Sequence, residues 1–148
     1  MRKFTVTAAL LGLTALGVVV PTATAQAAES AVAGPGCDSK WGPRNGNVYA
    51  WDGQDCSGEQ LIGTPNSSGD WGNSSNRASS VMNRGYTGNL AIVKFFYLRN
   101  HEGGHTCLHP GELYADNLTD NNFTNGQIVD NNIMSHQWVN GGCGVNLT

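Results

Sequence analysis

The sequence predicts an all-β chain, two Greek-key units packed as a sandwich and braced by disulfides, and three observations predict it. Short apolar segments separated by Gly, Asn and Asp recur from residue 47 onward, whereas no apolar stripe at i, i+3, i+4, i+7 lasts the ten or more residues a helix needs. The two halves carry the same order of features about 46 residues apart. Four cysteines lie in a chain that opens with an export signal.

Residues 1–27 read as that signal. Arg2 and Lys3 supply the positive start, Thr7 to Val20 is apolar and uncharged, and Pro21 to Ala27 offers small-residue cleavage sites after Ala25 or Ala27. The run is short against the roughly 20 residues of a bilayer span, and no later stretch matches it, so a secreted monomer with no membrane contact is expected. Loss of Arg2 and Lys3 turns eight basic residues into six against eleven acidic ones, and the formal charge moves from −3 to −5. With no basic stripe to neutralise phosphates, nucleic acid is excluded as a partner.

Residues 28–46, rich in Ala, Gly and Pro, are expected to form a flexible leader, and residues 47–148 the domain. Asn47 to Trp51 alternates polar and large apolar residues, a strand pattern closed by the Asp52-Gly53 turn. Leu61-Ile62 and Val81-Met82 continue the first unit (47–88) around a Ser- and Asn-rich loop at 64–76. Leu90 to Leu98, the longest strand candidate, opens the second unit (89–142), followed by Gly111 to Tyr114 and Gln127 to Val129. The cysteines allow three pairings, of which Cys37 with Cys56 and Cys107 with Cys143 closes one loop in each half.

The repeat sets Trp51 against Tyr97, each followed seven residues later by a glycine, Gly58 and Gly104. It sets Ser75-Asn76-Arg77-Ala78-Ser79-Ser80 against Asn131-Asn132-Ile133-Met134-Ser135-His136, with some ten extra residues placed in the 115–125 loop. Glycine serves a folded hairpin that needs positive φ, and serine side chains bond the turn's backbone. These motifs resemble the βγ-crystallin Greek key, with its aromatic-to-glycine hairpin and Asx-Asx-x-x-Ser-Ser signature. More narrowly they resemble the exported bacterial metalloproteinase inhibitors of that fold. The resemblance implies a secreted inhibitor of extracellular proteases, of the metalloprotease class in the family's own pattern, and no catalytic activity.

Four chemistries compete at the residue level. His101-Glu102-Gly103-Gly104-His105 matches H-E-x-x-H, in which two imidazoles one helical turn apart hold zinc. Two glycines, an aromatic strand before and Pro110 after argue for a hairpin instead, with the histidines on a surface turn. The resemblance implies weak calcium binding through Asn76, Ser79, Asn132 and Ser135, all neutral, with Asp130 and Asp55 the nearby carboxylates and no cofactor required. No serine sits in a G-x-S-x-G elbow, and the tryptophans, able to stack on sugars, are more commonly core residues. An inhibitory loop beside a cysteine and with an apolar neighbour is expected at Cys107-Leu108, since thermolysin-like enzymes favour an apolar residue after the scissile bond. The rival expectation is a calcium-binding or toxin-like crystallin module with a structural or binding role and no inhibition.

Overall fold

The computed structural model describes residues 36–148. The expected signal peptide and the start of the leader lie outside them. Seven strands form two antiparallel sheets: β1 (Asn47–Trp51), β2 (Gln60–Thr64), β3 (Ser80–Arg84) and β6 (Tyr114–Ala115) in the order β2-β1-β3-β6, and β4 (Ile92–Phe96), β5 (His105–Leu108) and β7 (Ser135–Val139) in the order β5-β4-β7. The third strand of each unit crosses to the other unit's sheet. β6 pairs with β3 through Val81–Ala115, and Ser68 forms a bridge to His136 beside β7. This exchange makes two Greek keys into one sandwich.

Alternation along the strands explains the packing. Val48 and Ala50 of β1, Val81 of β3, Val93 and Phe95 of β4 and Trp138 of β7 point between the sheets. Long loops complete that core with Trp71, Leu118, Phe123, Val129, Ile133 and Leu147. A second, smaller cluster of Trp51, Met82 and the Cys37–Cys56 disulfide forms on the outer face of the first sheet, with Trp41, Tyr49 and Tyr114 against it.

Both disulfides follow the favoured pairing, Cys37–Cys56 and Cys107–Cys143, with Cα separations of 4.9 and 5.8 Å. The first corrects the leader expectation. Residues 36–46 belong to the domain: a short helix α1 (Gly36–Lys40) carries the buried Cys37, and the Asn45 and Gly46 N–H groups donate to Arg84 O. Low apolar content conceals this, because the segment is fixed by a covalent bond and backbone hydrogen bonds rather than by an apolar face.

The repeat is present but runs one residue earlier than the sequence alignment placed it. Trp51 pairs with Ser80 and Phe96 with Ser135, so the offsets are 45 (96 less 51) and 55 (135 less 80). Ser80 Oγ donates to Gly53 O and accepts from the Cys56 N–H; Ser135 Oγ does the same with Leu98 O and the His101 N–H. The left-handed residues match as well: Asp55, Cys56 and Gly58 against Asn100, His101 and Gly103, and Asn76 against Asn131. The hairpin aromatic is therefore Phe96, and the hairpin glycine is Gly103. Tyr97 instead packs against the inner core, edge-on to Phe123 at 5.8 Å.

Candidate functional site

Between the two units, residues 85–91 form a loop whose ends are fixed by one buried side chain. Asn83, fully buried on β3, accepts from the Gly85 N–H (2.9 Å) and donates to Ala91 O (2.9 Å) and Leu108 O (3.1 Å). Arg44 adds a bond from Nη1 to Gly85 O at 2.7 Å. Glycine is required at 85, since a Cβ there would lie 2.5 Å from the Trp138 ring, and Gly88 turns the chain at φ 116°. Leu90 sits in the left-handed region at φ 53°, its N–H held by Asn140 Oδ1.

This scaffold projects two apolar side chains into solvent, Tyr86 at 65% exposure and Leu90 at 55%. They flank a groove of about 390 Å³ whose other wall is Pro65, Asn66 and Ser67, with Trp138 at its base. The Trp138 Nε1 is buried without a hydrogen-bond partner. A leucine kept in a conformation costing about 1–2 kcal/mol, with its side chain exposed, is a feature associated with binding sites rather than packing. The sequence reading missed it by extending a strand over 90–98, whereas β4 spans Ile92–Phe96. The available signal was Gly85-Tyr86-Thr87-Gly88-Asn89, a turn composition directly before Leu90.

A solved structure described as the evolution of the eye lens βγ-crystallin domain fold superposes with a TM-score of 0.50 at 18% identity, over 66% of this chain and 88% of that one. The chain has the βγ-crystallin domain fold. No family model matches the sequence, and no curated protein does.

Within the crystallin fold the residues expected to carry chemistry occupy different places. Cys107 and Leu108 are fully buried on β5, between β4 and the returning C-terminal segment, so this bond offers nothing to a protease cleft. His101 and His105 flank the Phe96 ring at 5.4 and 6.0 Å between centroids, on a turn and a strand rather than on one helical face. The H-E-x-x-H geometry is absent here. Burial and the nearby Lys94 lower the His105 pKa.

For calcium, the repeat does not set the expected pairs Asn76/Ser79 and Asn132/Ser135 in equivalent places. The counterparts of Asn76 and Ser79 in the repeat are Asn131 and Met134, and a thioether is no ligand for a hard cation. Ser135 Oγ is already committed to Leu98 and His101, and Asn132 Nδ2 donates to Asp130 O. Among the described residues no group of three His, Cys, Asp or Glu side chains converges. One atom fits the ion: Asp130 Oδ1 is buried with no hydrogen-bond partner, while its Oδ2 accepts from Asn131 Nδ2 at 2.7 Å.

Buried beneath the groove is a histidine lock between the two units. Trp71 Nε1 donates to His136 Nδ1 (2.8 Å), so His136 carries its proton on Nε2 and donates to Asn66 O (2.9 Å). The His101 Nε2 donates to His136 O (3.1 Å). His136 is fully buried, and burial holds its pKa down at about 4.

Proposed function

We propose that the protein acts outside the cell by binding rather than catalysis, as an inhibitor of an extracellular peptidase, with residues 85–91 as the segment placed in the enzyme's cleft. The supporting observation is the Asn83 clamp. It fixes the loop before binding, so that little ordering entropy remains to oppose association, while Tyr86 and Leu90 stand free as apolar anchors. Leu90 suits the apolar preference of a thermolysin-type metalloprotease. Two disulfides, and the absence among the described residues of a helix long and apolar enough to cross a membrane, are compatible with an extracellular role.

The test is a panel of thermolysin-type, serine and cysteine peptidases titrated with the purified protein and with the Tyr86→Ala/Leu90→Ala variant. Inhibition of one class at micromolar concentration or below is expected, and the double truncation should cost roughly 2–4 kcal/mol, at least about thirtyfold in Kd. No inhibition of any class rejects the function; equal inhibition by the variant rejects the loop.

A second reading, weak calcium binding, is favoured by Asp130 Oδ1 alone. A single carboxylate supports only millimolar-range affinity. Calorimetry with millimolar calcium should raise Tm for the wild type and not for Asp130→Asn. An unchanged Tm in the wild type removes this reading.

A further inference from the structure

We propose a second binding site, for a small anionic sugar, on the outer face of the first sheet. It shares no lining residue with the groove beside Tyr86 and goes beyond the inhibitor function. The concavity measures about 430 Å³ and is lined by Lys40, Tyr49, Trp51, Gln60, Met82 and Arg84.

Its floor is the half-buried Tyr49 ring, with the buried Trp51 beside it. Tyr49 and Trp51, alternate outward residues of β1, stack with centroids 5.9 Å apart and planes 22° from parallel. A cation sits on each ring: Lys40 Nζ 5.0 Å from the Trp51 centroid, and the Arg84 guanidinium 5.8 Å from that of Tyr49. Backbone carbonyls aim these cations. Arg84 donates through Nε and Nη2 to Pro43 O, and Lys40 donates to Cys56 O. Neither has a carboxylate within ion-pair distance among the described residues, whereas Arg77 and Arg99 both do. The Tyr49 hydroxyl accepts from Asn45 and Asn47 side chains, at 2.7 and 3.0 Å, and keeps its own proton to donate.

Two unneutralised cations on a chain of net negative charge mark a place for a negative group. The surroundings limit its size. Glu59 and Asp52, joined through Arg77, stand beside Gly58 at one end, and Asp38, bonded to the Tyr114 hydroxyl, stands by the second cluster. An acidic polypeptide or a nucleic acid would lie across these carboxylates within a Debye length and be repelled. A ligand of one or two sugar rings would not: its carboxylate or sulfate meets Lys40 and Arg84, its ring meets the half-buried Tyr49 side chain, and a hydroxyl accepts from Tyr49.

Tryptophan fluorescence of the full chain, titrated with glucuronate and with a sulfated disaccharide, tests the site, with glucose and sodium sulfate as controls. Saturable change at millimolar glucuronate or below is expected, weakened severalfold between 50 and 300 mM NaCl and at least tenfold in Lys40→Gln, with Lys40→Arg retaining most of the affinity. Arg84→Gln should act likewise, its melting temperature being checked because it also anchors Pro43. Sulfate binding as tightly as either sugar acid means an adventitious ion only and overturns the proposal. So does glucose binding equally well, or no saturable response to either sugar acid. Peptidase inhibition is expected to be unaltered in Lys40→Gln, which separates the two sites.

Discussion

At the scale of single residues, His136 sets the behaviour of the fold in acid. It is neutral in the folded chain because burial disfavours the imidazolium, and both ring nitrogens are already bonded, to Trp71 and Asn66. His101, the other titratable group against it, opposes protonation further. The unfolded chain takes up a proton near pH 6.5, and the folded chain only near 4. Folding is therefore fully supported above pH 6.5, and this contribution is lost as pH falls, by roughly 3 kcal/mol at pH 4. Denaturant unfolding from pH 7.5 to 4 should show the fall in wild type and a much smaller one in His136→Gln, whose amide can retain one bond but does not ionise. Equal pH dependence in the two proteins would remove His136 as the cause. Nothing in the sequence marked this residue beyond its place at the end of the second signature, where the pattern has serine. Its burial comes from Asn66 and Trp71 about 65–70 positions away, a distance over which local pattern carries no information.

At the scale of elements, the hairpins show what the sequence could resolve. The aromatic, glycine and serine pattern was strong enough to reveal a repeat and the fold class, yet Phe96 and Tyr97 are adjacent aromatics, and Gly103 and Gly104 adjacent glycines. Register was therefore ambiguous by one position, and a one-residue slip sends a strand's side chains to opposite faces. The two glycines serve different purposes. Gly103 has φ 77°, and a Cβ there would also lie 3.0 Å from Leu98, so Gly103→Ala should cost about 1–2 kcal/mol. Gly104 has no positive φ, but its Cβ would fall 2.3–2.7 Å from the Asn125 side chain. Asn125→Ala should then restore much of the stability lost in Gly104→Ala and none of that lost in Gly103→Ala. Thermal melts of the four variants decide it, and equal rescue of both would mean that the glycine roles are misassigned.

At the scale of the whole molecule, the decisive event is the return of the C-terminal segment to the edge of β5. The Cys107 N–H donates to Val145 O at 3.0 Å and the Leu147 N–H to Cys107 O at 2.8 Å, extending the second sheet by a parallel bridge. Cys143 ties the segment covalently to the strand it covers, and Leu147 enters the core fully buried. This closure is invisible at Cys107-Leu108 itself: a cysteine with an apolar neighbour fits an exposed inhibitory loop equally well, and only a partner nearly 40 residues away makes it interior. The loop at 85–91 escaped notice for the converse reason, because exposure of Leu90 is decided by the clamp from Asn83 and the bond from Asn140. Covering β5 protects its N–H and C=O groups from pairing with another chain. Covalent tie and strand pairing can be separated. In Cys107→Ser/Cys143→Ser the pairing and Leu147 remain, so a loss of roughly 3–4 kcal/mol is expected with the protein still monodisperse. Removing residues 143–148 takes away the tie, a buried leucine worth a further 2–3 kcal/mol or so, and the cover of the edge. The truncated protein should melt lower than the double serine variant and associate on concentration, as measured by calorimetry and light scattering. A truncated chain as stable and as monodisperse as the serine variant would show that the C-terminal strand contributes nothing beyond its disulfide.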